Sequence, residues 1–126
     1  MIGYVTLGTN NKSRSEKFYD ELLKEIGAVR VMETEQFTAY GKDMHSPGIG
    51  ITTPFDGKPA TVGNGVMVAL DVKSPEKVNA MYNKAIALGA KDEGKPGPRG
   101  DSGFYAGYFR DLDGNKLNVF CFSAKK

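Results

Sequence analysis

The chain has 126 residues, 40% of them apolar and 25% charged, enough for one ordinary domain or two tightly packed half-domains with a core, and too apolar for a disordered chain. Its 17 basic and 15 acidic residues leave a formal charge of +2, and the basic residues are scattered instead of forming a stripe, so no nucleic acid is expected as a partner. One cysteine excludes an internal disulfide, and MIGYVTL offers neither a basic leader nor a long apolar stretch; the expectation is no signal peptide, no membrane partner and a reducing cytoplasmic location.

Ile2 to Leu7 is a short β-type run, and Thr9, Asn10 and Asn11 after it favour a turn and the start of a helix. Ser13 with Glu16 three residues on has capping-box spacing, and Phe18, Tyr19, Leu22, Leu23 and Ile26 then recur at helical spacing until Gly27 stops the run. Three strand-like pieces follow, Ala28 to Glu33, Phe37 to Gly41 and Gly48 to Thr53, so the first half reads βαβββ. Beyond the loop PFDGKPATVGNG, Val66 to Val72 is again β-type. Ser74 and Pro75 predict an N-cap and first helical residue, with Val78, Met81, Tyr82, Ala85, Ile86 and Leu88 as the apolar face and Gly89 as the stop. Ala90 to Asp92, Phe104 to Arg110 and Asn115 to Phe122 complete a second βαβββ, the last two joined by a turn from Asp111 to Gly114. Gly94 to Gly103, GKPGPRGDSG, reads as an irregular loop and a candidate lid.

The halves answer each other in detail. Gly27-Ala28 matches Gly89-Ala90, and FTAYGKD from Phe37 matches FYAGYFRD from Phe104. Two copies at this spacing predict two similar modules, residues 1–60 and 61–126, that share a core or a cleft, and not a solenoid.

The stretches GYVTLGTN and FYDELLKEIGA near the start, and YFRDLDGNKLNVF near the end, resemble the opening and closing signatures of the vicinal oxygen chelate superfamily, which holds glyoxalases, bleomycin resistance proteins and extradiol dioxygenases. The resemblance spans nearly the whole chain, and the strand, Asp-x-Asp-Gly-Asn turn and strand at the end is its more specific part. It implies an α+β fold of two βαβββ modules whose mixed sheets form a cup, with helices packed outside and a ligand held inside. In metal-dependent members each half supplies one ligand on its first strand and one on its last, His or Glu. Here the matching positions are Tyr4, Met67 and Asn118, and Gly48 to Thr53 contains no His, Asp or Glu, so the resemblance implies no metal and no cofactor at the family site.

Alternation along the last strand places Lys116, Asn118, Phe120 and Phe122 on one face and Leu117, Val119 and Cys121 on the other, which should meet a helix. Cys121 then reads as a small buried hydrophobe. Asn118 reads either as an amide directed at a ligand or as an ordinary polar residue of the sheet surface. Tyr4 and Thr6 share one face of the first strand, and Met67 and Ala69 the corresponding face of the fifth, giving a mostly apolar lining with hydroxyls interspersed; Tyr40, Tyr105, Tyr108 and Phe109 add aromatic surface for a planar ligand or for core contacts. Arg99 is either a clamp for an anionic group or a solvated loop charge. The expected ligand-binding set is therefore Tyr4, Thr6, Tyr40, Met67, Arg99, Tyr105, Asn118 and Phe120.

No nucleophile, acid or base constellation stands out, so the leading expectation is a protein that binds a small organic molecule and, by resemblance to antibiotic-sequestering relatives, a homodimer. The competing expectation is a metal-dependent glyoxalase-type lyase or isomerase acting on a thiol adduct, which requires His45 to converge with carboxylates such as Glu33, Glu35 or Asp43. A third is an interaction module with a sealed cup.

Overall fold

In the computed structural model, which describes residues 1–122, the chain runs β1 (Tyr4–Gly8), α1 (Lys12–Leu22) with a 3-10 turn (Leu23–Ile26), β2 (Val29–Glu33), β3 (Phe37–Gly41) and β4 (Gly48–Thr52). It continues with β5 (Val68–Asp71), α2 (Pro75–Ala87), β6 (Lys91–Pro98), β7 (Phe104–Arg110) and β8 (Lys116–Phe122). The chain divides into two compact units, Met1–Gly63 and Asn64–Lys126. Each holds one four-stranded mixed sheet, in the orders β1-β4-β3-β2 and β5-β8-β7-β6. In both, the first strand pairs in parallel with the last and the remaining pairings are antiparallel. This is an α+β fold of two βαβββ modules.

Helix α1 starts two residues earlier than the Ser13–Glu16 spacing predicts. Thr9 Oγ1 accepts the Asn11 amide at 3.0 Å and sets the turn, and Asn11 Oδ1 then accepts the Arg14 amide at 3.1 Å as the true cap. Glu16 cannot complete a capping box because its carboxylate is taken by Thr38 and Lys12. Gly27, at φ 74°, ends the 3-10 turn in the left-handed conformation that glycine adopts without strain. Phe18, Tyr19 and Leu22 of α1 are buried, as are Leu7, Ile49 and Ile51 on the facing strands. In the second unit Ser74 Oγ accepts the Lys77 amide and Pro75 is the first helical residue, as the sequence predicts. Val78, Met81, Tyr82 and Ala85 bury the inner stripe of α2 against β7 and β8, whereas Ile86 and Leu88 stay partly exposed at the end of that stripe.

Gly94 to Pro98 is not a free loop. The segment extends β6 and pairs with β7, Gly97 with Ala106 and Pro98 with Tyr105, through two register irregularities. An edge strand with bulges tolerates proline and glycine because one side of its backbone needs no ladder partner. Only residues 99–103 remain as the connection, so the expected lid is reduced to that turn.

Close backbone approach restricts Gly48. A Cβ there would lie 2.5 Å from the carbonyl oxygen of Tyr40 on the paired strand β3, where neither backbone gives way easily. Gly48→Ala should cost about 2 kcal/mol in urea unfolding, the size of an overpacking defect; a loss under roughly half that would mean that the β3–β4 pairing is looser than described.

Candidate functional site

The pleat of each sheet gives one face to its helix and turns the alternate residues to the other face. In the second unit β8 turns Leu117, Val119 and Cys121 toward the buried side, all 0% exposed. The hairpin register pairs Tyr108 with Asn118, Ala106 with Phe120 and Phe104 with Phe122, so these residues share the opposite face. Phe104, Phe120 and Phe122 form a cluster with ring centroids 5.3–5.9 Å apart. Asn118 is 1% exposed and its Nδ2 donates to the carbonyl of Gly107 at 3.3 Å. Its Oδ1 has no hydrogen-bond partner among the described residues. At the far end of this face the guanidinium of Arg99 and the ammonium of Lys116 lie 5.3 and 5.6 Å from the centre of the Tyr108 ring.

In the first unit Tyr4 and Thr6 pair with Gly48 and Gly50, and Phe37 pairs with Thr52. Gly50 lets the Phe37 ring lie across the sheet, since a Cβ there would collide with Phe37 Cε1. The ring meets Tyr4 edge-on with centroids 6.2 Å apart, and Tyr4 is 65% exposed.

These placements divide the expected ligand set. Asn118, Phe120 and Arg99 come together on one face of the second sheet, Tyr4 and Thr6 share a face of the first, and Met67 precedes β5 as an exposed residue. Tyr40 and Tyr105 are corrected to the helix side. Tyr40 is 1% exposed and its hydroxyl donates to Asp20 at 2.8 Å, while the Tyr105 hydroxyl donates to Asn79 of α2 at 2.9 Å. Phe109, fully buried, also belongs to the helix side. Sequence reasoning placed Lys116 and Phe122 on this face but not in the ligand set, and it did not bring Phe104 to the face. The signal was present in the four-residue turn Asp111 to Gly114, whose length sets which residues of β7 and β8 oppose each other.

Glu16, Asp20 and Tyr82 have shifted proton affinity with structural partners to account for it. Burial pushes the Glu16 carboxyl up, but hydrogen bonds from Lys12 and Thr38 and the charge of Arg30 outweigh it and hold it below the ordinary range. The hydrogen bond from Arg30 lowers Asp20, helped by Tyr40. Burial and a 2.6 Å hydrogen bond to Asp92 push Tyr82 up to about 12. His45 is exposed in a turn whose amides are capped by Asp43, and Glu33 is paired with Arg30 at 3.0 Å. His45, Glu33, Glu35 and Asp43 do not converge: no group of three or more His, Cys, Asp or Glu able to hold a metal occurs among the described residues.

Paired βαβββ modules with an open face on each sheet define the class of small glyoxalase-fold proteins. The model of the Glyoxalase/Bleomycin resistance protein/Dioxygenase superfamily matches residues 1–119, and the chain belongs to that superfamily. It is similar to a glyoxalase/bleomycin resistance protein from Albidiferax ferrireducens, with 36% identity, a TM-score of 0.88, and coverage of 96% of this chain and 98% of that one. A glyoxalase-related enzyme from Fulvimarina pelagi (20% identity, TM-score 0.75, covering 96% and 87%) shares the fold. So does a genomically encoded fosfomycin resistance protein from Listeria monocytogenes (16% identity, TM-score 0.71, covering 96% and 92%). No curated protein matches the chain. No helix among the described residues is long and apolar enough to cross a membrane.

Proposed function

We propose that this protein binds a small organic molecule on the sheet face carrying Tyr108, Asn118 and Phe120, without the family's metal centre, as a cytoplasmic homodimer. The observation that carries the reading is Asn118. A side chain 1% exposed, with its carbonyl oxygen unpartnered among the described residues, lies beside an aromatic cluster on the face that its helix does not cover. An amide oxygen left open in this way can accept from a ligand N–H or O–H. Aromatic rings around a few placed polar groups are the usual composition of a small-molecule site.

The test is a thermal-shift screen of the purified full-length protein against small organic molecules, paired with native mass spectrometry and metal analysis. A compound that raises Tm in the wild type, and less in Asn118→Leu or in Phe120→Ala with folding retained, is the expected result. Stoichiometric divalent metal needed for binding, or a hit whose affinity is unchanged in both variants, would overturn it.

A further inference from the structure

We infer that the ligand of this face is an organic anion, with its charged group at Arg99 and Lys116 and its apolar or aromatic body toward Phe104, Phe120 and Phe122; this rests on the binding reading above. The Arg99 guanidinium is held in place by Nη1 donating to the carbonyl of Gly97 at 2.8 Å and Nη2 donating to the carbonyl of Lys95 at 2.7 Å. Those carbonyls orient the guanidinium without neutralising it. Gly94 leaves the space it occupies: a Cβ there would lie 3.2 Å from Tyr108 Cδ1 and 3.4 Å from Arg99 Nη2. Lys116 reaches the same ring from β8 on the other side of Tyr108's strand.

Two cations are thus gathered on one ring, and neither has a carboxylate partner among the described residues. Their neighbours differ: Arg110 is paired with Glu93 at 3.1 Å and Lys95 with Asp92 at 3.6 Å. Like charges brought together without a counter-ion repel, and a pre-oriented guanidinium beside an ammonium suits a carboxylate, sulfonate or phosphate oxygen. Along β8 the same face reads Lys116, Asn118, Phe120, Phe122, passing from charged through amide to aromatic. At ~3.3 Å per residue, Lys116 and Phe120 are about 13 Å apart along the strand, a length that a two-ring aromatic acid approaches and long side chains close. Asn118 lies between them, so its free oxygen meets the middle of such a molecule.

The experiment is isothermal titration of the full-length protein with naphthoate and with its neutral isostere naphthamide, at low salt. Naphthoate should bind about tenfold tighter than naphthamide, one charge-assisted contact's worth. Lys116→Met and Arg99→Met should each remove about that factor for naphthoate and leave naphthamide unchanged, and added salt should weaken naphthoate alone. Equal affinities for the two probes, unaffected by either variant, would overturn the anion inference and leave the binding reading intact. Binding of neither probe, with no amide shifts at Tyr108 or Asn118 in NMR, would count against both.

Discussion

Phe109→Ala should lower the unfolding free energy by about 4 kcal/mol, the range for emptying a fully buried aromatic site. Phe109 is 0% exposed near the end of β7, opposite Leu117 of β8, which is equally buried. Helix α2 packs on β7 and buries Val78, Met81 and Ala85 completely, so the cavity would be walled by a helix and two central strands that cannot collapse together without breaking the hairpin register. Urea unfolding checks it: the midpoint should fall with the slope nearly unchanged, because the surface exposed on unfolding hardly changes. Phe104→Ala is the internal control. Phe104 is only partly buried on the other face, and its loss should cost well under half as much. Equal losses at the two positions would mean that the helix side of this sheet is assigned wrongly.

Arg30→Met should cost about 2 kcal/mol and change how the protein responds to acid. Arg30 Nε and Nη2 donate to the two oxygens of Asp20, both at 2.8 Å, and Nη1 donates to Glu33 at 3.0 Å and lies 3.6 Å from Glu16. The Tyr40 hydroxyl donates to Asp20 at 2.8 Å and Thr38, fully buried, donates to Glu16 at 2.6 Å, so two strands are tied to α1 through its carboxylates. Removing the cation leaves those carboxylates with hydroxyls, Lys12 and the charge of Lys24. The loss stays below the ~3–5 kcal/mol of a sealed pair because the Arg30 and Asp20 side chains remain about a third exposed and solvent screens them. Arg30→Lys should recover only part of it, since an ammonium cannot span both Asp20 oxygens.

The acid response follows from the direction of the shifts. Glu16 and Asp20 have lower proton affinity folded than unfolded, so their contribution is complete above the ordinary carboxyl range of about pH 4 and is lost as pH falls through it toward the lower folded values. Thermal melts from neutral pH downward should show a wild-type Tm that falls more steeply than that of Arg30→Met, the curves approaching each other in acid. Parallel curves would show that Arg30 does not act through these carboxylates. At the other extreme Tyr40 and Tyr82 are both raised, so folding holds them neutral and stability should decline above about pH 10.

Local chemistry reaches a long way in this protein. Ser74-Pro75, the stops at Gly27 and Gly89 and the extents of β3 and β7 depend on residues within a turn of themselves, and the structure places them where the sequence does. The alternation of β8 was legible for the same reason, because Leu117, Val119 and Cys121 must share a face whatever packs on it. What failed depended on distant partners. Asn11 displaced Ser13 as the cap because Thr38, 22 residues from Glu16 in sequence, claimed the carboxylate a capping box needs. The stretch from Gly94 to Pro98 became a strand because β7 supplied a ladder that its own glycines and prolines do not suggest. Tyr40 and Tyr105 went to the helix side because Asp20 and Asn79 offered their hydroxyls partners there.

The sequence by itself determined the order of elements and the repeat of βαβββ, since these rest on periodicity and turn chemistry that act over a few residues, and the superfamily was legible only as a resemblance of its opening and closing stretches. The convergence of Arg99, Tyr108 and Lys116, and the unpartnered oxygen of Asn118 beside three phenylalanines, were decided only by tertiary structure. Strand register brings together residues up to 18 positions apart in the chain, and a shift of one residue in that pairing would have turned every one of them to the opposite face.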